Sequence, residues 1–261
     1  MLLNFRFQNF LSFKELTEFS MIPSQVRSLK HHLKTVNEEI SVLNFSSVYG
    51  ANASGKSNFI KALQFAQTVI ISSEERVRKS VVRESYYKGE ISFKEKKSDF
   101  EFDLIVGEEI FTYGFSMNLF NFEIKNEWLY KRVNKEDIKL YEIDYDKGIK
   151  IEDIIIDNLQ INENDKERFK IYISDANKSN SLFLQYINAN ERKLDYSIEL
   201  YKIYDWFSST MEVISTYDGA KGSEDAFLNE EDTEKLAEFL KNFGTGIERI
   251  ERQVISKQDI D

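Results

Sequence analysis

Apolar residues recur with two different spacings along the chain, and each spacing predicts a type of element. Near the start, Leu3, Phe5 and Phe7 alternate with polar residues, which predicts a β-strand. Residues 40–49 form an apolar, β-branched run that stops at a glycine, and we expect a buried parallel strand there. From residue 56 to residue 71 the apolar positions follow helical spacing, which predicts a helix of about four turns.

The middle of the chain returns to strict alternation. Two strands joined by a turn are predicted, each with its apolar residues on one face: Phe100, Phe102, Leu104 and Val106, then Phe111, Tyr113, Phe115 and Met117. Residues 122–133 extend this antiparallel hairpin by a third strand. Residues 135–170 are charged and rich in isoleucine but show no clear period, so they predict no element.

Helical spacing returns in the last third of the chain, in residues 194–211 and 230–242. The second segment begins after an asparagine suited to an N-cap, has acidic residues in its first turn, and ends before a glycine. Residues 247–255 favour an extended segment. A new element so close to the last residue predicts a fold that continues past residue 261.

The composition excludes several classes of chemistry. The 261 residues include no cysteine, and the two histidines are the neighbours His31 and His32. Disulfides, thiolate zinc sites, cysteine nucleophiles and multi-histidine metal centres are therefore excluded. No apolar run is long enough for a membrane span, and the first residues do not form a signal sequence, so we expect a cytoplasmic protein with no membrane partner.

The charge balance argues against general DNA binding. With 35 Lys and Arg against 45 Asp and Glu, the net charge is −10, whereas phosphate neutralisation needs a basic surface. Two local basic segments stay open as nucleic-acid contacts. One surrounds His31 and His32, where a solvated helix face is the alternative. The other spans residues 76–88, where a contact with an acidic partner is the alternative.

One segment carries a specific chemical signature, the pattern Gly-x-x-x-x-Gly-Lys-Ser. It consists of Gly50, Ala51, Asn52, Ala53, Ser54, Gly55, Lys56 and Ser57. A predicted strand precedes it and a predicted helix follows it, as a phosphate-binding loop requires. The two glycines allow backbone N–H groups to point at phosphate oxygens, and the helix directs the positive end of its dipole toward the same phosphates.

Three side chains of this loop have separate chemical tasks. Lys56 brings a positive charge to the β- and γ-phosphates, and Asn52 is a candidate contact to the terminal phosphate. The Ser57 hydroxyl is a hard oxygen ligand of the kind that Mg²⁺ prefers. The sequence therefore predicts a site for ATP and Mg²⁺, with Ser57 as the metal ligand.

A family resemblance rests on this loop and on shorter segments. Phe7–Lys14 and Tyr49–Asn58 resemble the start of the ABC-type ATPase heads of the SMC/RecF/OLD-like group, and within it the bacterial AAA-family ATP-binding proteins of abortive-infection and anti-phage systems. Residues 127–130, 181–184, 204–207 and 244–247 resemble the same family. The resemblance implies an α/β P-loop NTPase fold with a mixed sheet, an antiparallel β-unit and a C-terminal helical region.

The same resemblance implies a domain organisation and a function. We expect an ATP-binding lobe over residues 1–134, and a charged connector with a mainly helical region over residues 135–261. Such heads dimerise around nucleotide and switch a partner or effector, such as a nuclease, in phage defence or DNA maintenance. Asn58 joins the nucleotide-binding residues, and Gln185 is the candidate sensor of the γ-phosphate and metal. A surface glutamine on a helix is the alternative for Gln185.

The chain also departs from the family. It has no Ser-x-Gly signature and no Walker B strand ending in Asp-Glu. The nearest candidate, Ile154–Asp157, precedes the helical zone, and a buried strand or helix edge is the alternative. Leu11 stands where many heads have an arginine. The chain therefore resembles the N-terminal part of such a head, and we expect little hydrolysis from it alone. A phosphotransferase or a non-catalytic nucleotide-binding scaffold remains an alternative.

Overall fold

The computed structural model describes residues 1–24, 30–36, 40–72, 84–159, 161, 165–189 and 198–214, with the single positions 237, 241 and 249. The chain divides into two compact units, residues 1–213 and 214–261. The elements that follow belong to the first unit. The predictions for residues 230–242 and 247–255 lie almost wholly outside the described residues, and the proposed boundary at residue 134 stays a prediction.

A six-stranded sheet dominates the first unit, and its strands follow the order β2-β1-β5-β6-β7-β8, with every pair antiparallel. Its strands are β1 (Leu2–Gln8), β2 (Thr17–Ser20), β5 (Ser98–Val106), β6 (Glu109–Asn118), β7 (Glu123–Val133) and β8 (Glu136–Asp144). The predicted strands near residue 5 and in the hairpin, and the third strand after it, are confirmed. The strand β8 lies in the segment for which the sequence predicts no element.

A second, two-stranded ladder joins β3 (Leu33–Thr35) to β4 (Ser41–Leu43), again antiparallel. The predicted parallel strand over residues 40–49 is therefore wrong, and so is the mixed sheet for the described ladders. Only three residues of the apolar run form a strand, and Phe45 and Tyr49 are 77% and 89% exposed. An apolar run indicates burial potential, but the direction of pairing depends on which strands lie beside it.

Four helices accompany the sheet in the described residues. They are α1 (Lys56–Ile71), α2 (Lys166–Ala176), α3 (Phe183–Ala189) and α4 (Ile198–Asp205), and a π-helical turn, Trp206–Thr210, continues α4. The bounds of α1 match the sequence prediction, and residues 198–210 confirm the described part of the helix predicted for 194–211. The helix α2 includes residues 166–170, which the sequence leaves without an element.

One face of the large sheet carries the core, which is unusually rich in phenylalanine. Phe5 and Phe102, on adjacent strands, have ring centroids 4.6 Å apart. Phe65 of α1 lies 5.1 Å from Phe100, and Phe207 of the π-helical turn lies 5.0 Å from Phe102. These buried rings hold α1 and the end of the α4 segment against the sheet, since apolar burial is the main stabilising term in such a core.

A buried carboxylate connects this sheet to α3. The Glu127 side chain, on β7, has no exposed surface and accepts hydrogen bonds from three tyrosine hydroxyls and two backbone N–H groups: Tyr113 (3.1 Å), Tyr141 (2.9 Å), Tyr145 (2.6 Å), Phe183 (2.6 Å) and Leu184 (3.0 Å). These two N–H groups belong to the first two residues of α3, so Glu127 caps the N-terminus of that helix from β7.

Candidate nucleotide-phosphate site

The phosphate loop, residues 50–55, lies between the ladder β3-β4 and the first turn of α1. Residues 44–54 are exposed, so the loop is open to solvent on its outer side. Ala53 and Gly55 have positive φ angles of 66° and 97°. Two left-handed positions so close together curl the chain tightly before the helix begins.

Both glycines of the pattern lie close to neighbouring side chains. A Cβ atom at Gly50 would lie 2.5 Å from the Ser54 hydroxyl oxygen, which is closer than non-bonded atoms approach. A Cβ atom at Gly55 would lie 3.2 Å from the Ser12 hydroxyl oxygen, and the left-handed backbone at that position would be strained by any side chain. A side chain would therefore displace the Ser54 hydroxyl at position 50 and strain the backbone at position 55.

The Lys56 side chain folds back over the loop. Its ammonium donates to the carbonyl oxygens of Gly50, at 2.7 Å, and Ala51, at 2.9 Å. These bonds use two of the three N–H donors of the ammonium. The arrangement holds a positive charge over the loop, a position suited to a phosphate oxygen.

The N-terminus of α1 carries no side-chain cap and no acidic residue in its first turn. The first intrahelical bond runs from the Phe59 N–H to the Gly55 carbonyl, at 2.9 Å. The N–H groups of residues 56–58 therefore have no acceptor within the helix, and the positive end of the helix dipole is not offset by a carboxylate. This combination favours an anion directly in front of α1.

The surroundings of Ser57 fit a magnesium ion that is carried mainly by phosphate. Ser57 is exposed on the first turn of α1. Over the described residues there is no group of three or more histidine or acidic side chains that could form a protein cage for a metal. Mg²⁺ keeps several waters and takes one or two protein oxygens plus phosphate oxygens, so one serine hydroxyl suits it.

Ser12 is a residue of this site for which the sequence predicts no role. Phe10 and Phe13 exchange two backbone hydrogen bonds, at 2.9 and 2.8 Å, and this tight turn presents Ser12 to the loop. The Ser12 hydroxyl accepts a bond of 3.0 Å from the side-chain amide of Asn58. Leu11 lies partly buried against the core beside it. The sequence signal for Ser12 was its place within the segment Phe7–Lys14, which resembles the family.

The remaining predicted residues have different outcomes. Asn52 is exposed on the loop, and so are Ala51 and Ser54. Gln185 lies in α3 with 6% of its surface exposed, so the alternative of a surface glutamine is wrong. A contact of Gln185 with nucleotide stays a prediction. Its place in the helix is set by Glu127, which caps the two preceding residues.

The Walker B candidate is not supported by its surroundings. Asp157 lies in a short 3-10 turn, has 87% of its side chain exposed, and pairs with Lys166 at 3.3 Å. Ile154 is buried and forms an isolated antiparallel bridge to Tyr141, whereas residues 156–159 form the 3-10 turn, so the segment is not a strand. A carboxylate that projects into solvent from a turn is not held where it could orient a water against a phosphate.

The two basic segments add little to the site. His31 and His32 are exposed beside each other, with ring centroids 4.1 Å apart, which agrees with a solvated face. Most of the run over residues 76–88 lies outside the described residues, and Lys88 pairs with Glu84 at 3.3 Å. Contacts with nucleic acid at either place stay predictions.

Most of the chain matches one known protein family. The family model described as "AAA domain, putative AbiEii toxin, Type IV TA system" matches residues 45–254. This span begins just before the phosphate loop and includes α1 to α4. No curated protein matches the sequence. Among the described helices, none has both the length and the apolar character needed to cross a lipid bilayer.

Proposed function

The chain belongs to this AAA domain family of nucleotide-binding, ATPase-like proteins, and on that basis we propose that it is an ATP-binding head that dimerises around Mg-ATP and switches an effector. The observation that carries the proposal is the uncapped N-terminus of α1, with the Lys56 ammonium 2.7 Å from the Gly50 carbonyl at the loop opening. Free N–H groups, a helix dipole and a lysine converge on one anion position, as nucleotide phosphates require.

The chain's own residues divide the work of binding. Residues 50–55 wrap the phosphates with backbone N–H groups, Lys56 neutralises the β- and γ-phosphates, and Asn52 reaches the terminal phosphate. Ser57 supplies one oxygen to Mg²⁺, which when bound offsets phosphate charge. Ser12 and Asn58 hold the start of α1 in place, and Gln185 in α3 is the γ-phosphate sensor that the family resemblance implies.

An apolar strip beside the loop supports dimerisation through the nucleotide face. Phe45, Val48 and Tyr49 are between 50% and 89% exposed, directly before the loop. Adjacent large apolar side chains at a surface mark a contact region more often than a solvated one. A second copy that covers this strip would also close over the phosphates, so that bound nucleotide and dimer stabilise each other.

The effector and the biological setting are inferred from the family. The family description names a toxin of a type IV toxin–antitoxin system, and this supports a head that controls a harmful activity, such as a nuclease, in phage defence. DNA is a weaker candidate partner because the net charge is −10. A cytoplasmic setting is part of the same proposal.

Calorimetric titration of Mg-ATP into the folded chain tests the proposal. Lys56→Ala removes charge-assisted hydrogen bonds of about 1.5–3 kcal/mol, so we expect about ten- to a hundredfold weaker binding. Lys61→Ala, which removes an exposed lysine further along α1, is the matched control and should bind as the unchanged chain does. Equal affinity in all three proteins would exclude this loop as the site.

A further inference from the structure

A polar depression lies on the outer face of the six-stranded sheet, opposite the aromatic core. Cross-strand pairing sets six residues in one row, one from each strand: Glu18, Arg6, Glu101, Gly114, Trp128 and Glu142. The next row includes Asp99, Ser116 and Asn126. Because the central strand β6 contributes only Gly114 and Ser116 to these rows, the longer side chains around them enclose a cavity of about 560 Å³.

Trp128 forms a fixed aromatic wall of this cavity. A Cβ atom at Gly114 would lie 2.5 Å from Cε2 and Cζ2 of the indole, so the ring lies directly over the glycine. The indole N–H donates to Oε2 of Glu101 at 2.8 Å. This bond, together with the contact over Gly114, sets the orientation of the ring. Trp128 is only partly buried.

The cavity has a surplus of negative charge. Arg6 lines it, but its guanidinium is already shared among Glu101 (2.8 Å), Asp103 (2.8 Å) and Glu18 (3.2 Å). Lys97, the other lining cation, donates to the side-chain oxygen of Asn126 at 2.5 Å. The lining therefore has two positively charged side chains, Arg6 and Lys97, and three carboxylates: Asp99, Glu101 and Glu142.

Two carboxylates of the lining accept hydrogen bonds from neutral groups. Asp99 accepts a hydrogen bond from the neutral amide of Gln8. Glu142 accepts from the Tyr130 hydroxyl at 3.0 Å, and its contact with Lys139 is longer, at 3.8 Å. Burial raises the pKa of Asp99, against the opposing effects of the Gln8 hydrogen bond and the Lys97 charge. Both side chains line the cavity beside the indole.

We propose that this cavity binds the guanidinium group of an arginine side chain presented by a basic segment of a protein partner. The planar guanidinium stacks on the Trp128 indole, and its N–H groups donate to Asp99 and Glu142. Arginine suits the cavity better than lysine, because it combines a flat face with a fork of donors. The site is separate from the phosphate loop and goes beyond the proposed nucleotide function.

Tryptophan fluorescence measures binding at this site directly. The chain has two tryptophans, so a Trp206→Phe background leaves Trp128 as the reporter, and calorimetry on the unchanged chain checks that this background has not altered binding. The probe is a blocked pentapeptide with a central arginine and neutral neighbours. The matched peptide carries citrulline, which keeps the shape of arginine but not its charge. We expect the citrulline peptide to bind at least tenfold more weakly.

Protein variants place the binding in the cavity. Asp99→Asn should weaken the arginine peptide about tenfold, while it keeps an acceptor for Gln8. The control Glu108→Gln removes one negative charge from the exposed turn between β5 and β6 and should have no effect. Equal binding of the arginine and citrulline peptides, or equal losses in the two variants, would overturn the proposal. Equal affinity for N-acetylarginine amide and the peptide would overturn the assignment to a protein segment.

Discussion

The side-chain amide of Asn58 donates a 3.0 Å hydrogen bond to the Ser12 hydroxyl, and this bond joins the first turn of α1 to a turn 46 positions earlier in the chain. Asn58 directly follows Ser57, which is the predicted Mg²⁺ ligand, and the Ser12 hydroxyl lies beside Gly55. The phosphate loop is therefore held from two sides, by its own helix and by the Phe10–Phe13 turn.

A double-mutant cycle tests whether this bond positions the loop. Ser12→Ala and Asn58→Ala should each weaken Mg-ATP binding by a few fold, because a neutral hydrogen bond contributes about 0.5–1.5 kcal/mol. The double variant should lose little more than either single variant, since both remove one bond. Calorimetric affinities of the four proteins measure the coupling. Fully additive losses would indicate that the two residues act independently.

The role of Ser57 depends on metal. Because Mg²⁺ requires hard oxygen ligands in tight geometry, Ser57→Ala should weaken binding of Mg-ATP much more than binding of ATP in the presence of a chelator. Paired titrations with and without Mg²⁺ measure the difference, and Ser54→Ala, on the exposed part of the loop, serves as the hydroxyl control. Equal losses for Ser57→Ala under both conditions would argue against a metal ligand.

Turnover by this chain alone should be very slow. In the proposed site the loop, Lys56 and Ser57 position phosphates, but a water must also be oriented or deprotonated for hydrolysis. The one Walker B candidate, Asp157, is exposed and paired with Lys166. ATP should raise the melting temperature through binding, while phosphate release stays near the buffer blank. Hydrolysis at about 1 s⁻¹ or faster, abolished by Lys56→Ala, would reveal a catalytic carboxylate elsewhere.

The buried Glu127 should make stability depend on pH. Burial raises the pKa of its carboxyl, against the opposing effect of hydrogen bonds from Tyr145, Leu184 and Phe183. The folded chain therefore keeps a proton that the unfolded chain releases above about pH 4.5. It follows that the stability due to this group is greatest at low pH and is lost as pH rises through the folded pKa.

Glu127→Gln provides the comparison, because glutamine has a similar shape and does not titrate. It should lower the free energy of unfolding by about 1–3 kcal/mol, since it removes an acceptor from buried donors. The difference between the two proteins should be larger at pH 5 than at pH 8, as measured by urea unfolding. Glu142→Gln, on the exposed side of the sheet, is the control. A difference that grows with pH would contradict the raised pKa.

Local patterns in the sequence were sufficient for the elements that depend on neighbours in the chain. The alternation of Phe5 and Phe7, the hairpin near residue 107 and the helix Lys56–Ile71 follow from spacing, because side-chain direction repeats with period two or 3.6. The phosphate loop was predicted for a similar reason. Its chemistry needs consecutive backbone N–H groups, two glycines, a lysine and a serine, and all of these lie within eight positions.

Tertiary structure decided what depends on distant partners. The short antiparallel pairing of β4, the strand β8, the contact of Ser12 with Asn58 and the five donors around Glu127 join residues that are far apart or show no period. The cavity beside Trp128 arises from a row across six strands, and a row exists only once the register is set. A linear sequence specifies which side chains are available, but their meeting is a property of the folded chain, because each long-range contact requires the others to be in place.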